Sequence, residues 1–157
     1  MKTICIVLAA LIVAVSSSPA LAWWEYAQWG QSEAQLGVAS GGRTMPCSAG
    51  VPACAVRLPG YRPSHYVRGL TIAGLSADAG FDFDGGKGLA RTVILFGGDG
   101  RNARWLQTAL AKTYGPPLDV KKTWMPHVLW RDDSKATSIK LIDLSPSYTL
   151  IDYTPAR

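Results

Sequence analysis

The sequence predicts an α+β domain: an antiparallel sheet of about six strands with two helices packed on one face. Three observations carry this expectation. Short β-branched or alternating runs are separated by Gly, Pro and Ser turns, as in strands joined by tight connections. Two segments carry helical spacing with helix start and stop residues. The order is helix, three strands, helix, three strands, so the halves share an element order but little sequence.

The chain opens on an export signal. Lys2 is the positive start, and Ile4 to Val15 is a nearly unbroken apolar run of twelve residues. Ser16, Ser17, Ser18 and Pro19 end that run, and Ala20-Leu21-Ala22 supplies the small-x-small cleavage pattern. A membrane span needs about 20 apolar residues, more than this run offers. Residues 1–22 are therefore expected to be a signal peptide cleaved after Ala22, and residues 23–157 a single domain, periplasmic or secreted. No Cys follows Ala22 to take a lipid, and Cys5 stands too early in the leader, so a soluble product that does not span the membrane is expected.

Cleavage leaves 135 residues, enough for one core burying roughly two thirds of the unfolded surface. Lys2 leaves with the leader, so 15 of the 16 Lys and Arg face 11 Asp and Glu, a net charge of +4. The basic residues are scattered, with no run longer than Lys121-Lys122, and neither that pattern nor export fits a nucleic-acid partner. Cys47 and Cys54 remain in the mature chain, and an even count in an oxidising compartment predicts a disulfide. Their spacing fits neither a redox nor a haem motif. A zinc site would need both His65 and His127, so no metal or cofactor is expected.

Trp23 to Ser40 reads as the first helix, with Tyr26, Trp29, Glu33 and Leu36 near helical spacing and Ser32 close to an N-cap. Gly41-Gly42 ends it. Residues 43–63, rich in Gly, Pro and Ser, form an irregular loop pinned by the disulfide. Tyr66 to Ala73 alternates as a strand, placing Leu70 and Ile72 opposite Val67 and Thr71. Phe81 to Asp84 is a short strand, Asp84 to Gly88 a hairpin turn and Leu89 to Phe96 the clearest strand. Asp99 caps a second helix, Arg101 to Tyr114, whose inner face is Ala103, Leu106, Leu110 and Thr113. Gly115 stops it, and Pro116-Pro117 prevents continuation. Three strands follow, Thr123 to Trp130, Thr137 to Leu144 and Tyr148 to Tyr153.

Trp29-Gly30-x-Ser32 opens the mature chain, and Leu106-x-x-x-Leu110-x-x-x-Tyr114-Gly115-x-Pro117 precedes Trp130-x-Asp132. This pattern resembles a group of small, uncharacterised exported bacterial proteins with a W-G-x-S opening and an L-x-x-x-L-x-x-x-Y-G-x-P segment. Their helix-then-strands layout is similar to that of beta-lactamase-inhibitor-like and outer-membrane-assembly lipoprotein folds. The resemblance implies an α+β fold, and its motifs are structural, a helix stop and core aromatics that carry no chemistry. This chain departs from the assembly lipoproteins in lacking their lipid-attachment Cys.

No segment carries a catalytic signature. Gly97-Gly98-Asp99-Gly100 lacks the phosphate-loop spacing and reads as a capped turn. Asp82-x-Asp84 leads into Gly85-Gly86 without the later calcium ligands and reads as a hairpin. Asp132-Asp133 reads as solvated turn charge. The segment Trp124 to Trp130 is the candidate site. On a strand Trp124, Pro126, Val128 and Trp130 face one way and Met125, His127 and Leu129 the other. Trp124, His127 and Trp130 are thus candidate binding residues. The leading expectation is a non-enzymatic binding or inhibitor-like module whose partner is an envelope or extracellular protein. The alternatives are an envelope hydrolase using His127 with Asp132 or Asp143, and a glycan-binding protein stacking a sugar on exposed, coplanar Trp124 and Trp130 rings.

Overall fold

A computed structural model describes residues 26–144 and 146–156. The leader, 1–22, and the expected mature start at Trp23 lie outside the described residues. The elements are α1 (Glu33–Ala39), β1 (Met45–Pro46), α2 (Pro52–Ala55), β2 (His65–Ile72), β3 (Leu75–Asp84), β4 (Gly88–Gly97), α3 (Gly100–Tyr114), β5 (Asp119–Lys121), β6 (His127–Asp132), a 3-10 turn (Asp133–Lys135), β7 (Thr137–Leu144) and β8 (Tyr148–Pro155).

The fold is α+β, as expected, but the described residues form eight strands and three α-helices rather than about six and two. The additions are β1, β5 and the single turn α2. Two or three residues cannot display an alternation, which is why periodicity passes over them. All eight strands join one antiparallel sheet in the order β1-β2-β3-β4-β8-β7-β6-β5. Two four-strand meanders thus lie side by side. α3 carries the chain from the sheet centre to its far edge, and the last strands of the meanders, β4 and β8, pair along a central seam.

Both seam strands are largely buried on both faces, as strands covered from two sides are. Thr92, Ile94 and Phe96 of β4 stand opposite Tyr153, Ile151 and Thr149 of β8 on one face, here the near face. α3 sets Ala103, Leu106 and Leu110 into that face, and α1 adds Leu36. Asp99 caps α3 by accepting from the Arg101 amide, and Gly115, at φ 81°, closes its other end. α1 is shorter than the expected Trp23–Ser40. Gly30 sits at φ 81°, a conformation that ends a helix, and its N–H donates to the Leu89 carbonyl at 3.0 Å. The helix starts after Ser32, whose side chain forms a capping box with Gln35.

The far face carries Val93 and Leu95 of β4, Leu150 and Asp152 of β8, and Ile142 of β7. It is covered as well. The loop expected to be irregular folds back over it and packs Val56, Leu58 and Tyr61 onto Val93, Ile142 and Leu150. The expectation of helices on one face therefore holds for α1 and α3, whereas α2 and its loop form a second layer on the opposite side. The Cys47–Cys54 disulfide is present, with Cα atoms 5.8 Å apart, and packs against Val51, Ala53 and Tyr66.

The loop is locked by charge. Arg91 of β4 donates from Nε and Nη2 to both carboxylate oxygens of Asp152 in β8, at 2.7 and 2.8 Å, and from Nη1 to the Pro59 carbonyl at 2.9 Å. Its guanidinium lies over the Tyr61 ring, 5.4 Å from the centroid. The Arg62 amide donates to Asp82 at 2.9 Å. Tyr61 explains β3, where only Phe81 to Asp84 is legible as a strand. A Cβ on Gly80 would overlap the Tyr61 hydroxyl, so β3 must carry a glycine on its far face, and with Ala77 and Ala79 on its near face its first half has little strand preference. β2 departs from simple alternation too. Gly69, at φ 69°, marks a bulge between Val67 and Leu70 that turns both side chains into the core.

Two outcomes follow from this packing. Arg91→Met strands the buried Asp152 carboxylate and lowers unfolding free energy in urea by about 3–5 kcal/mol, whereas Arg91→Met with Asp152→Leu recovers most of that loss. The disulfide closes an eight-residue loop. Replacing Cys47 and Cys54 by Ser, or unfolding in reductant, lowers stability by about 2.5 kcal/mol.

Candidate functional site

After Gly115 the chain cannot remain helical. Pro116 and Pro117 force an extended path, Leu118 follows, and β5 joins the sheet at its far edge. The Leu118 N–H donates to the Leu129 carbonyl at 2.8 Å. Asp119, Val120 and Lys121 then stand opposite Leu129, Val128 and His127. Val120 shares the near face with Val128, which packs on the core, while Asp119 and Lys121 share the far face. Residues 122–126 turn the chain back into β6.

This hairpin separates the three predicted site residues. Trp130 is buried at 1 % exposure, packs among the near-face core residues and donates its indole N–H to the Gly115 carbonyl at 3.1 Å. Trp124 lies in the turn rather than on the strand, 83 % exposed. His127 opens β6 on the far face, half-buried, and its Nδ1–H donates to the Met125 carbonyl at 3.0 Å. The strand begins at His127 and not at Thr123, so its alternation never reaches Trp124. One buried and one exposed indole cannot stack on the same sugar, and the paired-Trp glycan platform is corrected accordingly.

The hydrolase arrangement fails on geometry. His127 faces Ile142 across the β6–β7 ladder, so Asp143, the next residue, lies on the opposite face. Asp132 closes β6 on the near face, five residues or about 16 Å from His127, and accepts from the Ser134 hydroxyl at 2.6 Å. No shared cleft joins these groups. Among the described residues no group of three or more His, Cys, Asp or Glu side chains is placed to hold a metal ion, and no helix is long and apolar enough to cross a membrane.

What the hairpin does offer is exposed apolar side chains, with an ion pair on its far face. Leu118 is 66 % exposed and Val120 50 %. Lys121 Nζ lies 2.9 Å from Asp119 Oδ2. The Lys121 ammonium, the Val120 amide and nearby His127 hold the Asp119 carboxyl below its ordinary value. Leu118 and Val120 were not legible as site residues, because a three-residue strand carries no period. Their one signal is Leu118-x-Val120 directly after two prolines. Trp105, on the outer side of α3, is exposed too, but its indole N–H donates to the Ala73 carbonyl at 2.8 Å and closes the β2–β3 turn.

No protein-family model matches the chain, and no curated protein matches it. Among solved structures, it is similar to a DUF4309 family protein (YjgB) from Bacillus subtilis, at 11% identity and a TM-score of 0.34. The match covers 51% of this chain and 57% of that one. So slight a likeness bears on neither activity nor partner.

The two tryptophans differ in energetic role. Trp130→Ala costs about 3–5 kcal/mol in urea unfolding through its cavity and lost hydrogen bond, whereas Trp124→Ala stays within about 0.5 kcal/mol of wild type.

Proposed function

We propose that this chain is an exported protein-binding module of the bacterial envelope and that the β5–β6 hairpin is the element it presents. Six large hydrophobic side chains are exposed among the described residues, and three of them, Leu118, Val120 and Trp124, fall within seven consecutive positions. This clustering carries the reading. Scattered exposed apolar residues need no explanation, but three gathered on one hairpin mark a candidate contact surface. Trp124 has the size and amphipathic character of a binding anchor.

The root of the hairpin supports the same reading. Trp130 ties β6 to the end of α3, and Leu118 ties the start of β5 to β6. A partner would meet a preordered surface, which lowers the entropy lost on association. The expected leader, residues 1–22, and the Cys47–Cys54 disulfide suit an oxidising compartment outside the cytoplasm.

The test uses a photo-crosslinking residue at position 124 or, as a control, at position 38, where Val38 is also 83 % exposed. Irradiation of cells exporting each form should give a discrete protein adduct from position 124 and none from position 38. No adduct at 124, or the same diffuse adducts from both positions, would refute the proposal.

A further inference from the structure

Taking the hairpin as the binding element, we infer that the open edge of β5 pairs with β5 of a second copy of this chain, antiparallel and centred on Val120. The inference rests on the reading above and names the partner of that surface.

Among the described residues, β5 has β6 on one side and no strand on the other. The opposite edge of the sheet is β1, only Met45–Pro46, where Pro46 has no N–H to donate. At β5 the Val120 N–H donates to the Asp119 carboxylate at 2.8 Å, a side-chain acceptor that a second strand's carbonyl can replace. Residue by residue, Asp119-Val120-Lys121 is complementary to itself when run antiparallel. Val120 meets Val120 on the two-fold axis, Asp119 meets the second copy's Lys121, and Lys121 meets its Asp119. Asp119 and Lys121 already share the far face 2.9 Å apart, so the dimer would hold four charges of alternating sign there. On the near face the half-exposed Val120 side chains meet at the axis. Such a contact is isologous and closed, and it stops at two copies.

Charges on an edge strand ordinarily discourage pairing. Two opposite charges two residues apart do so selectively. They clash with an apolar strand or a strand of one sign and match a copy of themselves.

The experiment is sedimentation equilibrium on purified full chain over a range of concentrations, with two single variants and their mixture. Wild type should show a monomer–dimer equilibrium. Lys121→Glu leaves β5 wholly acidic and Asp119→Lys leaves it wholly basic, so each alone should dimerise about tenfold more weakly. Mixed in equal amounts, the two should recover association as heterodimers, a result that misfolding of either variant cannot produce. A wild type that stays monomeric throughout, variants that dimerise as well as wild type, or a mixture that fails to recover would each overturn the inference. If self-association is absent while position 124 still crosslinks to a different protein, only the self-pairing is lost. If both are absent, the binding role of the hairpin is lost as well.

Discussion

The structure turns on the Arg91–Asp152 pair. The two residues belong to β4 and β8, the strands that join one meander to the other, so the pair spans the seam of the sheet. Their forked contact uses two of the guanidinium's donors, and a third reaches Pro59, so one side chain fixes both the seam and the loop that covers it. Burial alone would lower the Arg91 pKa, but hydrogen bonding and charge from Asp152 hold it above its ordinary value. A lysine could supply the charge but not the planar fork. The constraint then runs outward. Burial first, with Asp82 and Asp152 adding to it, pushes the Tyr61 phenol far above its usual range, so it stays neutral and donates to the Ala53 carbonyl of α2. Cys54, next to Ala53, is tied to Cys47, one residue beyond β1. A buried ion pair at the centre of the sheet is thus linked, contact by contact, to a disulfide at its edge.

The elements legible in the sequence were those that carry their own boundaries. α3 has an Asp cap, three apolar residues on one face and a Gly-Pro-Pro stop, and it lies within one residue of its expected start. β7 alternates cleanly and is bounded by turns, and it runs over the expected Thr137 to Leu144. The illegible parts depend on distant residues. β3 holds Gly80 because Tyr61 lies above it, a fact about a residue some twenty positions away. The loop 43–63 has no period, because it covers a sheet face with separate side chains rather than with a regular helix. The site was half legible. The segment Trp124 to Trp130 was singled out, but the strand expected from Thr123 begins four residues late, at His127, and that shift leaves Trp124 in the turn.

The order β1-β2-β3-β4-β8-β7-β6-β5 gives the two halves of the sheet the same plan, each with a helix on the near face and each ending at the seam. They differ at the outer edges. The first meander ends in a two-residue strand that carries a proline and is held by the disulfide loop. The second ends in a hairpin whose root is tied down and whose tip extends beyond the core. A sheet of this plan has two exposed edges to manage, and this chain closes one and leaves the other armed with apolar side chains and opposite charges. Packing explains the core, the seam and the first edge, but not why Trp124, Val120 and Leu118 are exposed together, since removing them from water would favour the folded chain. Their exposure has a physical rationale if a second surface covers them.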